Sequence, residues 1–241
     1  REGMGVSLDS QAEAICSAIP KNCTVITNEK HFLDKIREKA AVRNSSVITP
    51  EELDNEMTGR LPYGVFPENV ALALAVCKEA GAEPIRSGIA IQKLLSDCPS
   101  PLTTFSDGNK SLHFLNAFAV NDIDSTESFI SHWKRVIDHK GKITIVLNTR
   151  EDRPLRTRIF SDWIAKDQQF YERIILTGNH KERAKYSLIK SGVEKVKIMT
   201  WKRELLNDFK MNLINILPDR SLVVGVGNIG GDGFHILNTL K

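Results

Sequence analysis

Four short segments of the 241-residue chain concentrate the side chains able to bind or activate a ligand. The densest is Asn148-Thr149-Arg150-Glu151-Asp152-Arg153-Pro154-Leu155-Arg156, directly after an apolar run. Three guanidiniums within seven residues offer paired, planar N–H donors that suit a phosphate or a carboxylate, and lysine does not reproduce that geometry. The competing reading is a solvated run in which Asp152 pairs with a neighbouring arginine and leaves no site. A second segment, Asn116-Ala117-Phe118-Ala119-Val120-Asn121-Asp122, also closes an apolar run. Either it is a plain turn, or Asn116 and Asn121 face a crevice between two halves of the chain where a ribose or phosphate lies.

The third segment, Tyr63 to Ala73, feeds an alanine-rich helix. Asn69 there either caps the helix or presents its amide, donor and acceptor together, to an adenine edge. The fourth, Gly225-Val226-Gly227-Asn228-Ile229-Gly230, reads literally G-x-G-x-x-G. A dinucleotide fingerprint should open a βαβ unit with an acidic residue about 20 positions on, and only 11 residues follow Gly230. The glycines are therefore expected to shape a turn that lets backbone approach a ligand or a neighbouring domain. A nicotinamide-dependent oxidoreductase is the minor alternative.

Other chemistries find little support. The six histidines form no H-x-x-x-H pair and none lies near a nucleophile-elbow serine, and no G-x-x-x-x-G-K-[ST] phosphate loop occurs. Cys16, Cys23, Cys77 and Cys98 show no CxxC pair and no histidine at metal spacing, so no metal site is expected, and a reducing cytoplasm is the simplest setting. The longest apolar stretch, Val70 to Cys77, is eight residues, far short of the roughly 18 to 20 a membrane span needs. The first residues lack the pattern of a secretory signal. With 41% hydrophobic and 26% charged residues, the composition is that of a globular protein. A net charge of +3 is too small to imply nucleic acid as a partner, but residues 1–110 sum to −3 and residues 111–241 to +6, so the later half favours an anionic ligand.

The elements that must carry these segments alternate helix and strand, which points to α/β layering around a largely parallel sheet. Helices are expected over 10–19, 32–41, 69–79, 89–95, 125–138, 156–165, 181–191 and 205–216, with a further helix start at Pro50-Glu51-Glu52 and Ser125 as an N-cap. Strands are expected over 24–27, 46–49, 112–119, 143–147, 173–176, 196–199 and 221–226. Cys98-Pro99-Ser100-Pro101 and Ser106-Asp107-Gly108-Asn109 read as a linker. The later half should form a Rossmann-like doubly wound sheet, whose ligands bind beyond the carboxyl ends of the strands, where three of the four segments fall.

Taken in order, "GVFPENVALALAVCKEAG", "LNAFAVNDIDST", "IVLNTREDRPLRT" and "VVGVGNIGGDG" resemble the CapB/PgsB-type ligase subunits of capsular poly-γ-glutamate synthases, within the Mur ligase-like family. The resemblance covers essentially the whole chain, and the segments around Asn116 and Asn148 are the specific ones. It implies that residues 1–110 are the later part of a P-loop-type central ATPase domain and residues 111–241 a Rossmann-like C-terminal ligase domain, the phosphate loop itself being absent from this sequence. It further implies an ATP- and Mg²⁺-dependent amide ligase that activates a γ-carboxylate as an acyl phosphate for attack by a glutamate amine. Glutamate or growing poly-γ-glutamate would be the substrate, the membrane subunits of a capsule synthase the partners, and the cytoplasmic face of the membrane the location. Residue by residue, it implies nucleotide contacts for Asn69, Asn116 and Asn121, catalytic roles for Arg150, Asp152, Arg153 and Arg156, and substrate contacts for Asn148 and Asn228. The alternative is a non-catalytic module that docks onto other synthase components.

Overall fold

In the computed structural model, residues 7–61, 65–82, 93 and 100–240 are described, and the chain divides into two compact units, Arg1–Cys98 and Pro99–Lys241. The first unit orders α1 (Leu8–Ser17), β1 (Thr24–Ile26), α2 (Leu33–Val42), β2 (Ser46–Ile48), α3 (Asn55–Arg60) and α4 (Pro67–Glu79). Ser7 closes the start of α1 with a reciprocal Ser7–Ser10 capping box, which satisfies two donors that the first turn leaves open. β1 and β2 pair in parallel, Val25 opposite Val47, over a small core of Cys16, Ile19 and Ala40. Cys16, Cys23 and Cys77 are free thiols, the first buried and the others half-buried; Cys98 lies outside the described residues.

Two expected helix starts are displaced, one by a capping carboxylate and one by a proline. Pro50-Glu51-Glu52 stays non-helical, and α3 begins at Asn55 because the Asp54 carboxylate accepts the N–H of Met57 at 2.7 Å. α4 begins at Pro67 with Phe66 as N-cap. Proline suits the first helical position, where its missing N–H costs nothing. Asn69 therefore sits inside the first turn, so it does not cap the helix. The helix expected over 89–95, Lys93 apart, the start of the Tyr63 segment and Cys98-Pro99 of the expected linker lie outside the described residues.

The second unit is built on one six-stranded sheet. It runs β3 (Leu102–Ser106), β4 (Ser111–Asn116), α5 (Ile123–Val136), β5 (Ile143–Thr149), α6 (Pro154–Lys166), β6 (Tyr171–Gly178), α7 (Lys181–Lys190), β7 (Ile198–Thr200), α8 (Arg203–Asn207), α9 (Phe209–Ile216), β8 (Leu222–Gly227) and α10 (Asp232–Leu240). The spatial order is β3-β4-β8-β5-β6-β7, parallel throughout except for β3 against β4. Successive side chains alternate between two cores. Ile145 and Leu147 of β5, Ile174 and Leu176 of β6, and Val224 and Val226 of β8 pack on one face with Phe160 and Ile164 of α6 and Leu188 of α7. Val146, Ile175 and Val223 pack on the other with Leu206, Phe209, Leu213 and Ile236. A sheet covered on both faces explains why its strands read as unbroken apolar runs.

Ser106-Asp107-Gly108-Asn109 is a hairpin turn rather than a linker: the Asp107 carboxylate accepts the N–H groups of Asn109 and Lys110 at 2.9 and 2.8 Å, and β3, unanticipated, zips onto β4. α5 is capped by Asp122, which accepts both the N–H and the hydroxyl of Ser125 at 2.8 Å, so Ser125 is a first-turn residue. The helix expected over 205–216 is two, divided at Asp208. α10 is a further helix beyond the glycines, held by buried Gly233, Ile236 and Leu240.

Candidate functional site

The carboxyl ends of β4, β5, β6 and β8 are neighbours in the sheet, so the segments that follow them meet. Asn148 lies within β5 rather than after it and is fully buried. Its Nδ2 donates to the carbonyls of Asn228 and Gly230 at 2.6 and 2.8 Å. Asn228 returns the contact, its backbone N–H and its Nδ2 both donating to the Asn148 carbonyl at 3.1 and 3.2 Å. The pair clasps the end of β5 to the turn after β8. Asn148 Oδ1 is buried without a hydrogen-bond partner among the described residues, and a Cβ on Gly178 would come within 2.8 Å of it. Gly178 has φ +86°, a backbone region that strongly favours glycine.

The G-x-G-x-x-G run makes room for protein atoms. A Cβ at Gly225 would sit 2.6 Å from the Phe118 ring and one at Gly227 2.6 Å from the Asn148 carbonyl, while one at Gly230 would collide with the Arg150 guanidinium.

The three arginines fall into three environments. Arg150 is locked fork-to-fork on Asp152, Nε to Oδ1 at 2.9 Å and Nη2 to Oδ2 at 2.6 Å. That hydrogen-bonded guanidinium, more than its field, holds the Asp152 carboxyl below the usual carboxylate range. Arg153 is exposed at the N-cap of α6, and its guanidinium makes no hydrogen bond or ion pair among the described residues. Arg156 is committed inward. Nε donates to the Gly227 carbonyl at 2.5 Å, Nη1 to Asn121 Oδ1 at 3.0 Å, and Nη2 to the Val120 and Phe118 carbonyls at 2.6 and 3.5 Å. Its guanidinium also lies over the Phe160 ring, 5.4 Å from the centroid. Burial lowers its pKa, yet an arginine remains charged at any physiological pH. The segment from Arg150 to Arg156 thus holds three cations against Glu151 and Asp152, with one guanidinium free at the surface.

Asn116 Oδ1 accepts the N–H of Phe118 at 3.3 Å, Asn121 is held by Arg156, and Asn69 is exposed in the first unit. Sequence reasoning missed a further group at this end of the sheet. Asp232, the first residue of α10, accepts the Thr177 hydroxyl at 2.6 Å and the Gly178 N–H at 2.9 Å through one oxygen. Its other oxygen lies 3.5 Å from Arg203. Thr149 donates to the Thr177 carbonyl at 2.8 Å and accepts the His180 N–H at 3.0 Å. The available signal was an Asp at the start of an apolar 3.6-residue pattern, which marks a helix N-terminus. Among the described residues no group of three or more His, Cys, Asp or Glu could hold a metal ion, and no helix is long and apolar enough to cross a membrane.

Residues 102–241 match the model of the poly-γ-glutamate synthase CapB C-terminal domain family. The chain is 34% identical to "Capsule biosynthesis protein CapB" of Bacillus anthracis, the alignment covering 95% of this chain and 49% of that protein. It is 29% identical to "PGA synthase CapB" of Bacillus subtilis, covering 95% and 58%, so it spans about half the length of these curated relatives. In fold it is similar to the bifunctional folylpolyglutamate synthase/dihydrofolate synthase of Yersinia pestis, solved with AMPPNP and a manganese ion, with a TM-score of 0.61 at 15% identity over 98% of this chain and 57% of that one. That match shows a shared mixed α/β fold with a central sheet. The family match over the whole β3–α10 sheet unit, together with the relatives, places the chain in the CapB family of poly-γ-glutamate synthases.

Proposed function

We propose that this chain is part of an ATP-dependent amide ligase that lengthens poly-γ-glutamate through an acyl phosphate. The names of its relatives and the AMPPNP-bound fold neighbour support that reading, and the observation that carries it is the arginine loop at the carboxyl ends of the sheet. In such a reaction a γ-carboxylate oxygen bonds to the terminal phosphorus of ATP as the bridging P–O bond breaks and ADP leaves. The glutamate amine then attacks the acyl carbon, the C–N bond forms, phosphate departs, and the amine proton is lost. Both partners are anions, and two unit charges about 4 Å apart repel by about 4 kcal/mol at a surface-like dielectric. Guanidiniums at the meeting point offset that repulsion and orient the two groups.

Arg153 is the ligand-facing member in this reading, since its donors are unspent, and Arg150 presents its outer edge while Asp152 keeps its plane fixed. Arg156, Asn121, Asn148 and Asn228 act as positioning residues, their polar atoms used between β4, β5 and β8. Asn116 of the sheet unit contributes a nucleotide contact, Asn69 keeps the nucleotide role that the family resemblance implies for the first unit, and that unit, without the β3–β4 hairpin that falls inside residues 1–110, forms the later part of the ATPase domain. A phosphate loop and a divalent-cation site belong, in this reading, to the part of the relatives' length that this chain does not span; among the described residues no group of three or more His, Cys, Asp or Glu could hold the cation.

In protein carrying the family's full length, Arg153→Lys should reduce glutamate-dependent phosphate release roughly tenfold or more, because an ammonium cannot make the paired contact, with the melting temperature unchanged. Unaltered kinetics at unaltered stability would remove Arg153 from the site. Absence of glutamate-dependent phosphate release in the unsubstituted protein would leave the docking-module reading instead.

A further inference from the structure

The excess charge of the later half is confined to one stretch. Residues 181–203 hold eight basic and two acidic side chains, a net of +6, and residues 111–241 also sum to +6. The stretch is α7, a single 3-10 turn at Lys195–Lys197, the outermost strand β7 and the lead into α8. On α7, Arg183, Tyr186 and Lys190 are exposed at helical spacing opposite buried Ala184 and Leu188, and Lys195, Lys202 and Arg203 are exposed beyond it.

Of the eight cations, Lys197 pairs with Glu194 at 3.2 Å, Arg203 with Asp232 at 3.5 Å, and Lys181 donates to the Gly178 carbonyl at 3.2 Å. Arg183, Lys185, Lys190, Lys195 and Lys202 make no hydrogen bond or ion pair among the described residues. Lysines beside an edge strand discourage pairing with another sheet, which accounts for those flanking β7. It does not account for the three unpaired cations along α7, Arg183, Lys185 and Lys190.

We propose that this basic edge is a docking track for the anionic γ-glutamyl chain, an inference that rests on the ligase reading above. Continuity with the candidate site favours it. Lys181 at one end bonds the Gly178 carbonyl, and Arg203 at the other pairs with the Asp232 that holds the Gly178 N–H, so both ends of the track meet the turn packed against Asn148. A growing polymer with one carboxylate per unit needs cations outside the reacting pair, and a row of unpaired ones supplies them without fixing a register. An anionic lipid surface has the same charge but gives no reason for the row to begin at the site.

The test substitutes Arg183, Lys185, Lys190, Lys195 and Lys202 together by glutamine, none of them in the Arg150–Arg156 loop. A lighter Lys190→Gln, Lys195→Gln variant serves if the first fails to fold. The probes are a fluorescent γ-linked glutamate oligomer, followed by anisotropy, and phosphatidylglycerol-containing vesicles, followed by sedimentation. The unsubstituted chain should bind the oligomer, and weaken roughly tenfold or more between about 10 and 100 mM salt, as the screening length falls from about 30 to about 10 Å. The five-fold variant should bind it at least roughly tenfold more weakly, with a shallower salt dependence. Equal binding by variant and unsubstituted chain overturns the track, as does failure of the unsubstituted chain to bind, and so does lost vesicle sedimentation with oligomer binding intact. Phosphate release with monomeric glutamate is read separately in full-length protein: its absence without substitution counts against the ligase reading, while its persistence in the variant shows that only the track was removed.

Discussion

Arg153 and Arg156 stand three residues apart and carry the same chemical group, yet their surroundings divide them. Arg156 spends its donors on carbonyls at Gly227, Val120 and Phe118 and on Asn121, whereas Arg153 keeps its donors for solvent or a ligand. The distinction has a measurable consequence for stability. Arg156→Lys retains the charge but loses the fork, leaving partly buried carbonyls without donors at a cost of about 1–3 kcal/mol, and urea denaturation should show its midpoint lowered. Arg153→Lys, at an exposed position, should stay within about 0.5 kcal/mol of the parent. If the two variants unfold together, the assignment of Arg156 to positioning is wrong.

Among the elements, β8 and its turn set how closely the site's walls approach. Gly225 lies in the middle of β8 with the rings of Phe118 and Phe114 where a side chain would be, a Cβ falling 2.6 and 2.8 Å from their nearest atoms. Gly225→Ala should cost about 1–3 kcal/mol through overpacking. Phe118 belongs to the loop that Arg156 holds, so the displacement should also reach the site. Thermal denaturation checks the first effect, and backbone amide NMR shifts at Val120 and Asn121 check the second. An alanine variant as stable as its parent would mean the two rings move aside freely. The same passage shows how partial a motif is as a guide: G-x-G-x-x-G followed by a helix is present, but aromatic rings, a carbonyl and a guanidinium occupy the space its glycines leave.

For the molecule as a whole, the sheet unit is expected to govern behaviour at high pH through Tyr171. This residue is 3% exposed at the start of β6, packed edge-on against Trp163 at 5.8 Å. Burial first, then the nearby Asp167 and Glu127 carboxylates, push its phenol above the ordinary range. A folded pKa raised above the unfolded value of about 10 means the stabilisation is fully present below pH ~10 and is lost as pH rises toward the folded value. Ultraviolet titration should therefore show the Tyr171 change delayed until the circular dichroism of the sheet is lost. Tyr171→Phe should flatten the alkaline limb of stability. A Tyr171 transition completed in the folded state near pH 10 would contradict the buried placement.

Much of this architecture was legible in the amino-acid order because its cause is local. Apolar runs of β-branched residues such as Ile143 to Leu147 and Ser221 to Val226 can be buried only within a sheet covered on both faces, and amphipathic segments such as Lys181 to Ser191 can only cover one. The family resemblance was likewise carried by contiguous residues around Asn116 and Asn148. Boundaries set by a single capping side chain were less legible, since Asp122 and Ser125, or Asn69 and Pro67, offer competing local solutions. What only the tertiary structure decided was pairing across long separations. Leu102–Ser106 becomes a strand because β4 lies beside it, so an Asp-Gly turn that would equally suit a linker becomes a hairpin. Asn148 and Asn228 find each other across 80 residues, Arg156 and Gly227 across 71, and Thr177 and Asp232 across 55. A side chain's type sets which bonds it is able to make, but which of them remain for a ligand depends on the neighbours that folding brings, and those neighbours are distant in the chain.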